Sequence, residues 1–280
     1  MPHPSNLYHA LLTRFAVRPR PASAVPSRRW LERRFALFER FCLPSVVAQS
    51  RRGFEWLLFY DSHLDEIYVN RLEEYSRRYG FVVPLAMPRH WDVAALHEVV
   101  RGRIPSGASR LLTSRLDNDD VLAVDYVERI LTHLHTSGRR AIVFDWGLNL
   151  VDGRLYWQPL LRGPFASVVA DIEEGEDICT VLDDEHEHLD DVMPVVHVGR
   201  PSAWIQIIHG ENLANVGRGI RVPRSVLRKR FPVPALGADV REPLGELAFG
   251  AIESGLYFSR SLLVEDGRAV RAIRYLSGRR

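Results

Sequence analysis

An α/β fold with a mostly parallel central sheet and a smaller mixed β/α C-terminal part is what this 280-residue sequence predicts. Three observations carry that expectation. Dense apolar runs alternate with helical stretches through the first half, as repeated βα units do. Two of those runs, ending at Asp61 and Asp117, close on a carboxylate, and open α/β sheets gather their ligands beyond the carboxyl ends of strands. Beyond about residue 138 the pattern turns to hairpin-like alternation.

Tyr8 to Val17 reads as a buried strand, followed by a proline-containing loop that forbids helix continuation. Leu31, Phe35, Phe38 and Cys42 recur at helical spacing with arginines on the other face, and Pro44 is expected to bend or end that helix. The aromatic run 54–61 is a buried parallel strand by composition. A polar helix from about Leu64 to Tyr79, a strand 81–85, a helix from about Val93 to Val100 and the strand ending at Asp117 follow. A helix is expected from about Val124 to Thr136, a strand over 141–145, and a hairpin over 149–158 turning at Asp152-Gly153. Ile178 to Leu182 and Trp204 to Ile208 read as further strands, the latter opening into a glycine-rich loop.

With 46% apolar residues the chain can bury a substantial core. The net charge of +2 excludes the strongly basic surface of a nucleic-acid binder, although Lys229 is the only lysine and nearly all cations are arginine. No apolar stretch reaches the roughly 20 residues that span a bilayer, and His9 and Arg14 interrupt the N-terminal apolar segment, so a soluble cytoplasmic protein is expected. Cys42 and Cys179 have no metal or redox spacing and read as core or incidental thiols.

The most informative segment is Asp117-Asn118-Asp119-Asp120 at the end of the run Leu111 to Leu116. On an extended strand Asp117 and Asp119 point to one face, roughly 6.5 to 7 Å apart. Hard cations such as Mg²⁺ and Mn²⁺ use one or two such carboxylates and complete their shell with waters and substrate phosphates, which points to a nucleoside diphosphate. The other reading of an Asp and Asn cluster is helix capping, and Asp120 is the expected cap of the helix that follows. Arg115 shares the face of Asp117 and either orients that carboxylate, reaches a diphosphate or forms a structural ion pair.

Thr113-Ser114-Arg115-Leu116-Asp117-Asn118-Asp119-Asp120, taken with Trp204-Ile205-Gln206 and His209-Gly210-Glu211-Asn212, resembles the rhamnosyltransferase family. Arg14 to Arg18 and Trp30 to Ser45 are also similar to that family's opening, and the likeness runs from about residue 8 to about residue 220. The resemblance implies a GT-A type glycosyltransferase, a Rossmann-like sandwich that binds a nucleoside diphosphate sugar, dTDP-rhamnose by the family's name, with Mn²⁺ or Mg²⁺ on an Asp-x-Asp element. Glu211 departs from the smaller residue expected beside the glycine.

On that reading Asp117 and Asp119 hold the metal, and His209 is a third ligand or a direct diphosphate contact. Asn212, Asn215 and Arg218 are donors to phosphate oxygens, and an ordinary Gly and Asn loop is the alternative for each. Arg14 and Asp61 sit where this fold holds base and ribose. For the base that deprotonates the acceptor, Asp184 or His186 is the candidate and Asp145 the next. The chain is read as one glycosyltransferase domain over 1–280: a nucleotide-sugar half over about 8–137, an acceptor-side and metal-completing half over about 138–220, and a helical extension over about 221–280. The expected partners are the nucleotide sugar and a glycan acceptor, with no nucleic acid. The basic, aromatic stretch Arg224 to Phe231 admits a peripheral contact with the inner face of a membrane or with a partner enzyme. Two rival functions remain: a metal-dependent hydrolase built on His186 and His188 with the neighbouring aspartates, and a non-catalytic nucleotide-sugar-binding domain.

Overall fold

The computed structural model describes residues 6–20, 23, 26–88, 90–135, 137–160, 162–173, 175–209 and 219–237. The first half follows the expected βα alternation: β1 (Leu7–Ala16), α1 (Arg28–Leu37), α2 (Leu43–Val47), β2 (Glu55–Asp61), α3 (Glu66–Tyr79), β3 (Val82–Met87), α4 (Val93–Arg101) and β4 (Arg110–Arg115). Then come β5 (Val121–Leu122), α5 (Tyr126–Leu131), β6 (Arg140–Phe144), β7 (Trp146–Val151), β8 (Arg154–Pro159), β9 (Ala166–Asp171), α6 (Leu189–Val192), β10 (Val195–Val198), β11 (Trp204–Ile208) and β12 (Ile220–Val222).

The strands form two sheets. The larger has seven strands in the order β10-β6-β9-β4-β1-β2-β3, with β9 antiparallel to both neighbours and every other pairing parallel. This is the mostly parallel sheet of the expected α/β sandwich. Its carboxyl edge carries the ends of β1, β2, β4, β6 and β10 together. The smaller mixed sheet has the order β12-β8-β7-β11-β5. The β7–β8 hairpin turns at Asp152 and Gly153, both at positive φ (48° and 75°), the backbone of a two-residue hairpin loop.

Alternation along the strands splits the interior. Leu11, Phe15, Trp56, Leu58 and Leu112 face α1, α3 and α5, which supply Phe35, Leu72 and Ile130 among others. Tyr8, Ala10, Leu12, Leu57 and Phe59 face α4 and α6, with Leu96, Val100 and Leu189. A third cluster lines the smaller sheet, from Val121, Leu148 and Ile205 to Phe231 and Leu236.

Several expectations are corrected. Of the two outcomes expected at Pro44, ending the helix does not occur: helical backbone continues from α1 through a π-helical segment, Phe38–Cys42, into α2, and Pro44 sits in the first turn of α2. The helix expected over 124–136 is only Tyr126–Leu131. Ile178 to Leu182 is not a strand. Asp183 accepts from the Thr180 N–H (2.9 Å) and hydroxyl (2.5 Å), and Thr113 Oγ1 accepts from the Val181 N–H (2.8 Å), so side chains tie the backbone into a turn. The two sheets also interleave along the chain, since β5 belongs to the smaller one and β9 and β10 complete the larger. Past residue 220 the described residues hold two 3₁₀ turns, Arg224–Leu227 and Pro234–Leu236, and the rest of the expected helical extension lies outside the described residues. Among the described residues no helix is long and apolar enough to cross a membrane.

Candidate functional site

Three strands bring charged side chains to the carboxyl edge of the larger sheet. Arg14 follows Tyr8, Ala10 and Leu12 in the alternation of β1, Asp61 follows Leu57 and Phe59 in β2, and Arg115 follows Leu111 and Thr113 in β4. All three therefore share one face. The Arg14 guanidinium lies 5.5 Å from the centroid of Trp91, which itself packs edge-on against Phe59. Burial and the positive field of Arg115 lower the Arg14 pKa, partly offset by Asp117 and Glu185. Two guanidiniums crowded in this way favour an anion between or beside them. Asp61 is buried, accepts from Arg18 Nε (2.6 Å) and from the His63 N–H (2.9 Å), and is held below the usual carboxylate range by those contacts against the opposing effect of burial.

Arg115 is the hinge of the site. Its Nε and Nη2 reach Asp117 Oδ1 and Oδ2 at 3.4 and 3.3 Å, and its Nη1 donates to His186 Nδ1 at 3.0 Å. A guanidinium only donates, so Nδ1 must accept and His186 is a neutral imidazole with its proton on Nε2. Burial and the Arg115 charge both lower its pKa. Asp117 keeps a side chain that is 40% exposed. Desolvation pushes its pKa up, but Arg115 and Arg14 prevail and leave it below its ordinary value.

β4 stops at Arg115, and the Asp120 N–H bonds the Asp117 carbonyl (3.3 Å), so the aspartates lie in a turn and not on an alternating strand. Asp117 and Asp119 consequently meet different partners. Asp119 Oδ2 accepts from Arg34 Nη1 (2.6 Å) and lies 2.8 Å from His209 Nε2. Asn118 anchors the turn through Nδ2 to the Phe15 carbonyl (2.8 Å). Asp120 is not the helix cap: β5 follows it, Asp125 precedes α5, and Asp120 Oδ1 accepts from the Ile207 N–H of β11 (3.1 Å). Burial and the charges of Asp119 and Asp117 push its pKa well up.

β11 delivers His209 to Asp119 because the smaller sheet fixes its register. Trp204 pairs with Leu122 and with Gly147, its indole donates to the Phe144 carbonyl (2.7 Å) and it stacks on Phe165 at 4.4 Å. A Cβ on Gly147 would lie 2.0 Å from the Trp204 ring, so only glycine admits this packing.

The donor set suits a hard divalent cation, with carboxylate oxygens and one imidazole nitrogen. His209 Nε2 and Asp119 Oδ2 are hydrogen-bonded at 2.8 Å and the same oxygen takes Arg34, so an ion there would displace these contacts; the repulsion that lifts Asp120 is the kind of excess negative charge that a cation relieves. Among the described residues no group of three or more His, Cys, Asp or Glu converges to hold an ion. The chain thus offers a pair, with Asp117 beside it, and not a closed cage.

The candidate acceptor-side residues do not form one cluster. Asp184 is exposed, while its neighbour Asp183 is taken by His97 (2.8 Å) and Thr180. Asp145 is fully buried and accepts from His197 Nδ1 (2.8 Å), which places it behind an imidazole and out of reach of an acceptor hydroxyl. His186 faces Arg115 whereas His188 faces Asp191 (3.3 Å), so the two histidines of the hydrolase alternative diverge. Asn212, Asn215 and Arg218 lie outside the described residues. Arg34, Trp91 and His197 were not singled out by sequence. Arg34 hides in an arginine-rich helix and reaches Asp119 across 85 residues of chain.

The sequence profile of the family described as "putative rhamnosyl transferase" matches residues 20–220. Comparison with curated proteins returns no match. Among solved structures the chain is similar to S. aureus TarS 1-349 in complex with UDP-GlcNAc, at 10% identity and a TM-score of 0.45, covering 88% of this chain and 71% of that one. It is similar to TarS 1-349 in another structure at 8% identity and a TM-score of 0.42, covering 71% of this chain and 60% of that one. It is also similar to the inositol-1-phosphate CTP transferase from T. maritima, at 11% identity and a TM-score of 0.35, covering 72% of this chain and 90% of that one.

Proposed function

Because the chain belongs to the putative rhamnosyl transferase family, we propose that it is a metal-dependent glycosyltransferase that moves a sugar, rhamnose by the family's description, from a nucleoside diphosphate to a glycan or other surface-polymer acceptor. The observation that carries this reading is the convergence of Arg14, Arg115 and Asp117 at the strand ends, next to the Asp119–His209 pair. Asp119 and His209 would hold Mn²⁺ or Mg²⁺ with diphosphate oxygens and waters completing the shell, while Asp117 stays paired with Arg115. When bound, the ion takes up charge that grows on the leaving diphosphate.

The chain's own residues do the rest. Arg14 and Arg115 present donors to the diphosphate oxygens, and their mutual repulsion makes anion binding favourable. Trp91, packed on Phe59 and under Arg14, and Asp61, buried against Arg18, border the space that would take base and ribose. Asp184, exposed in the loop that also carries His186, is the candidate that accepts the acceptor's proton. The divergence of His186 and His188 disfavours the hydrolase alternative. Turnover tests the proposal: with dTDP-rhamnose, Mn²⁺ and a rhamnan or related glycan, release of dTDP should depend on acceptor. Failure of every nucleoside diphosphate sugar tested, despite bound nucleotide, would favour a non-catalytic binding domain.

A further inference from the structure

His197 stands outside the donor site, yet its contacts reach the segment that begins at His186, two residues past Asp184. It sits on β10 opposite Val143 of β6, and the residue that follows β6, Asp145, ties its N–H to the Val198 carbonyl (3.1 Å). Asp145 is wholly buried, where a carboxylate is costly unless donors meet it, and His197 Nδ1 does so at 2.8 Å. The other ring nitrogen, Nε2, faces Asp190 Oδ1 of α6 at 3.5 Å. Asp190 in turn pairs with Arg162 Nε (3.2 Å), whose Nη1 donates to the Glu187 carbonyl (2.9 Å). Arg139 holds the far end through the Val192 carbonyl (3.1 Å), and His186 at the near end accepts from Arg115. The segment His186–Val192 is thus pinned at one end to the donor site and at the other to a buried carboxylate through one imidazole.

We infer that His197 is a positioning residue: its imidazole, oriented by Asp145, draws Asp190 and with it the 186–192 segment onto the carboxyl edge of the sheet, which sets His186 and, through the chain, the adjacent Asp184 for transfer. The role in transfer rests on the glycosyltransferase reading, and the tether itself does not. Doubly protonated, His197 donates to Asp145 and holds Asp190 as an ion pair 3.5 Å away. Neutral, with Nδ1–H committed to Asp145, it turns a lone pair toward Asp190 and the tether weakens. The charged groups facing the ring are Asp145 from the β6–β7 junction and Asp190 from α6, with Arg162 on the far side of Asp190. The hydrogen bond to Asp145 raises the His197 pKa above its ordinary 6.5 against the opposing effect of burial, and Asp190 adds to the rise. A raised histidine contributes fully below its unfolded value and loses that contribution as pH rises through its folded value. The tether is therefore tight on the acid side and slack on the alkaline side.

Hydrogen exchange of the 186–192 amides tests this without any assay of transfer. Protection, corrected for intrinsic exchange, is measured from below pH 6.5 to well above it, through the raised His197 pKa, in the wild type, His197→Gln and Asp190→Asn. The wild type should lose protection by about tenfold for each unit by which the pKa is raised, and both variants should show no such dependence. Asp190 is on the surface, so Asp190→Asn keeps the test valid even if His197→Gln disturbs the core. Equal profiles in wild type and Asp190→Asn would overturn the inference. Where transfer is measurable, kcat should fall on the alkaline side in the wild type and not in His197→Gln, with nucleoside diphosphate affinity unchanged in both. Absence of transfer with the exchange pattern intact would count against the glycosyltransferase reading and leave the tether standing.

Discussion

His209 Nε2 lies 2.8 Å from Asp119 Oδ2, across 90 residues of sequence, because β11 pairs with β5 and its Ile207 N–H is held by Asp120. The turn after β4 and the end of β11 thus meet at the candidate site. His209→Ala should weaken Mn²⁺-dependent binding of nucleoside diphosphate about 10- to 100-fold, the scale of a lost charge-assisted contact. A wild-type titration curve for the variant would assign His209 to packing alone.

Arg115 makes three contacts that need a planar fork, two to Asp117 and one to His186. Lysine keeps the charge and loses the fork. Arg115→Lys should therefore lower diphosphate affinity about tenfold or more while melting close to the wild type, and equal affinity for the two proteins would show that charge alone suffices there.

Asp184 is exposed, so its replacement tests the proposed base at little structural cost. Asp184→Asn should reduce kcat by about 10²- to 10⁴-fold, the usual contribution of a general base, with donor affinity retained. Full activity in that variant would remove it as the base.

Gly147 touches no proposed ligand, yet it sets β11. Gly147→Ala places a methyl 2.0 Å from the Trp204 ring, and overpacking of this kind costs about 1–3 kcal/mol or more. A lowered Tm together with weaker metal-dependent binding would connect the packing to the site, whereas an unchanged Tm would refute the packing argument.

Much of the fold was legible because alternation and strand-end carboxylates are local signals. Asp61 and Asp117 fall at or just past the ends of β2 and β4 as expected, and Asp152-Gly153 turns its hairpin. The failures share a cause in long-range contacts. Asp120 looked like a cap because nothing nearby announces that β11 will supply the N–H it accepts. Ile178 to Leu182 has strand-like composition, but Thr113 and Asp183 divert its backbone bonds. Asp145 ends an apolar run as the site aspartates do, and its complete burial follows from β10 closing over it. Arg34 and His197 act through partners 85 and 52 residues away, which no spacing rule reaches.

Calorimetric titration with thymidine, uridine and guanosine diphosphates, each with Mn²⁺ and with chelator, tests the central claim most directly. Asp119→Ala is compared with the wild type, and Asp119→Asn serves as the variant that preserves side-chain volume beside Arg34. Selective binding that requires Mn²⁺ and disappears in both variants is the predicted result. Binding to none of the three diphosphates by folded wild-type protein, or binding that survives in both variants, would contradict it.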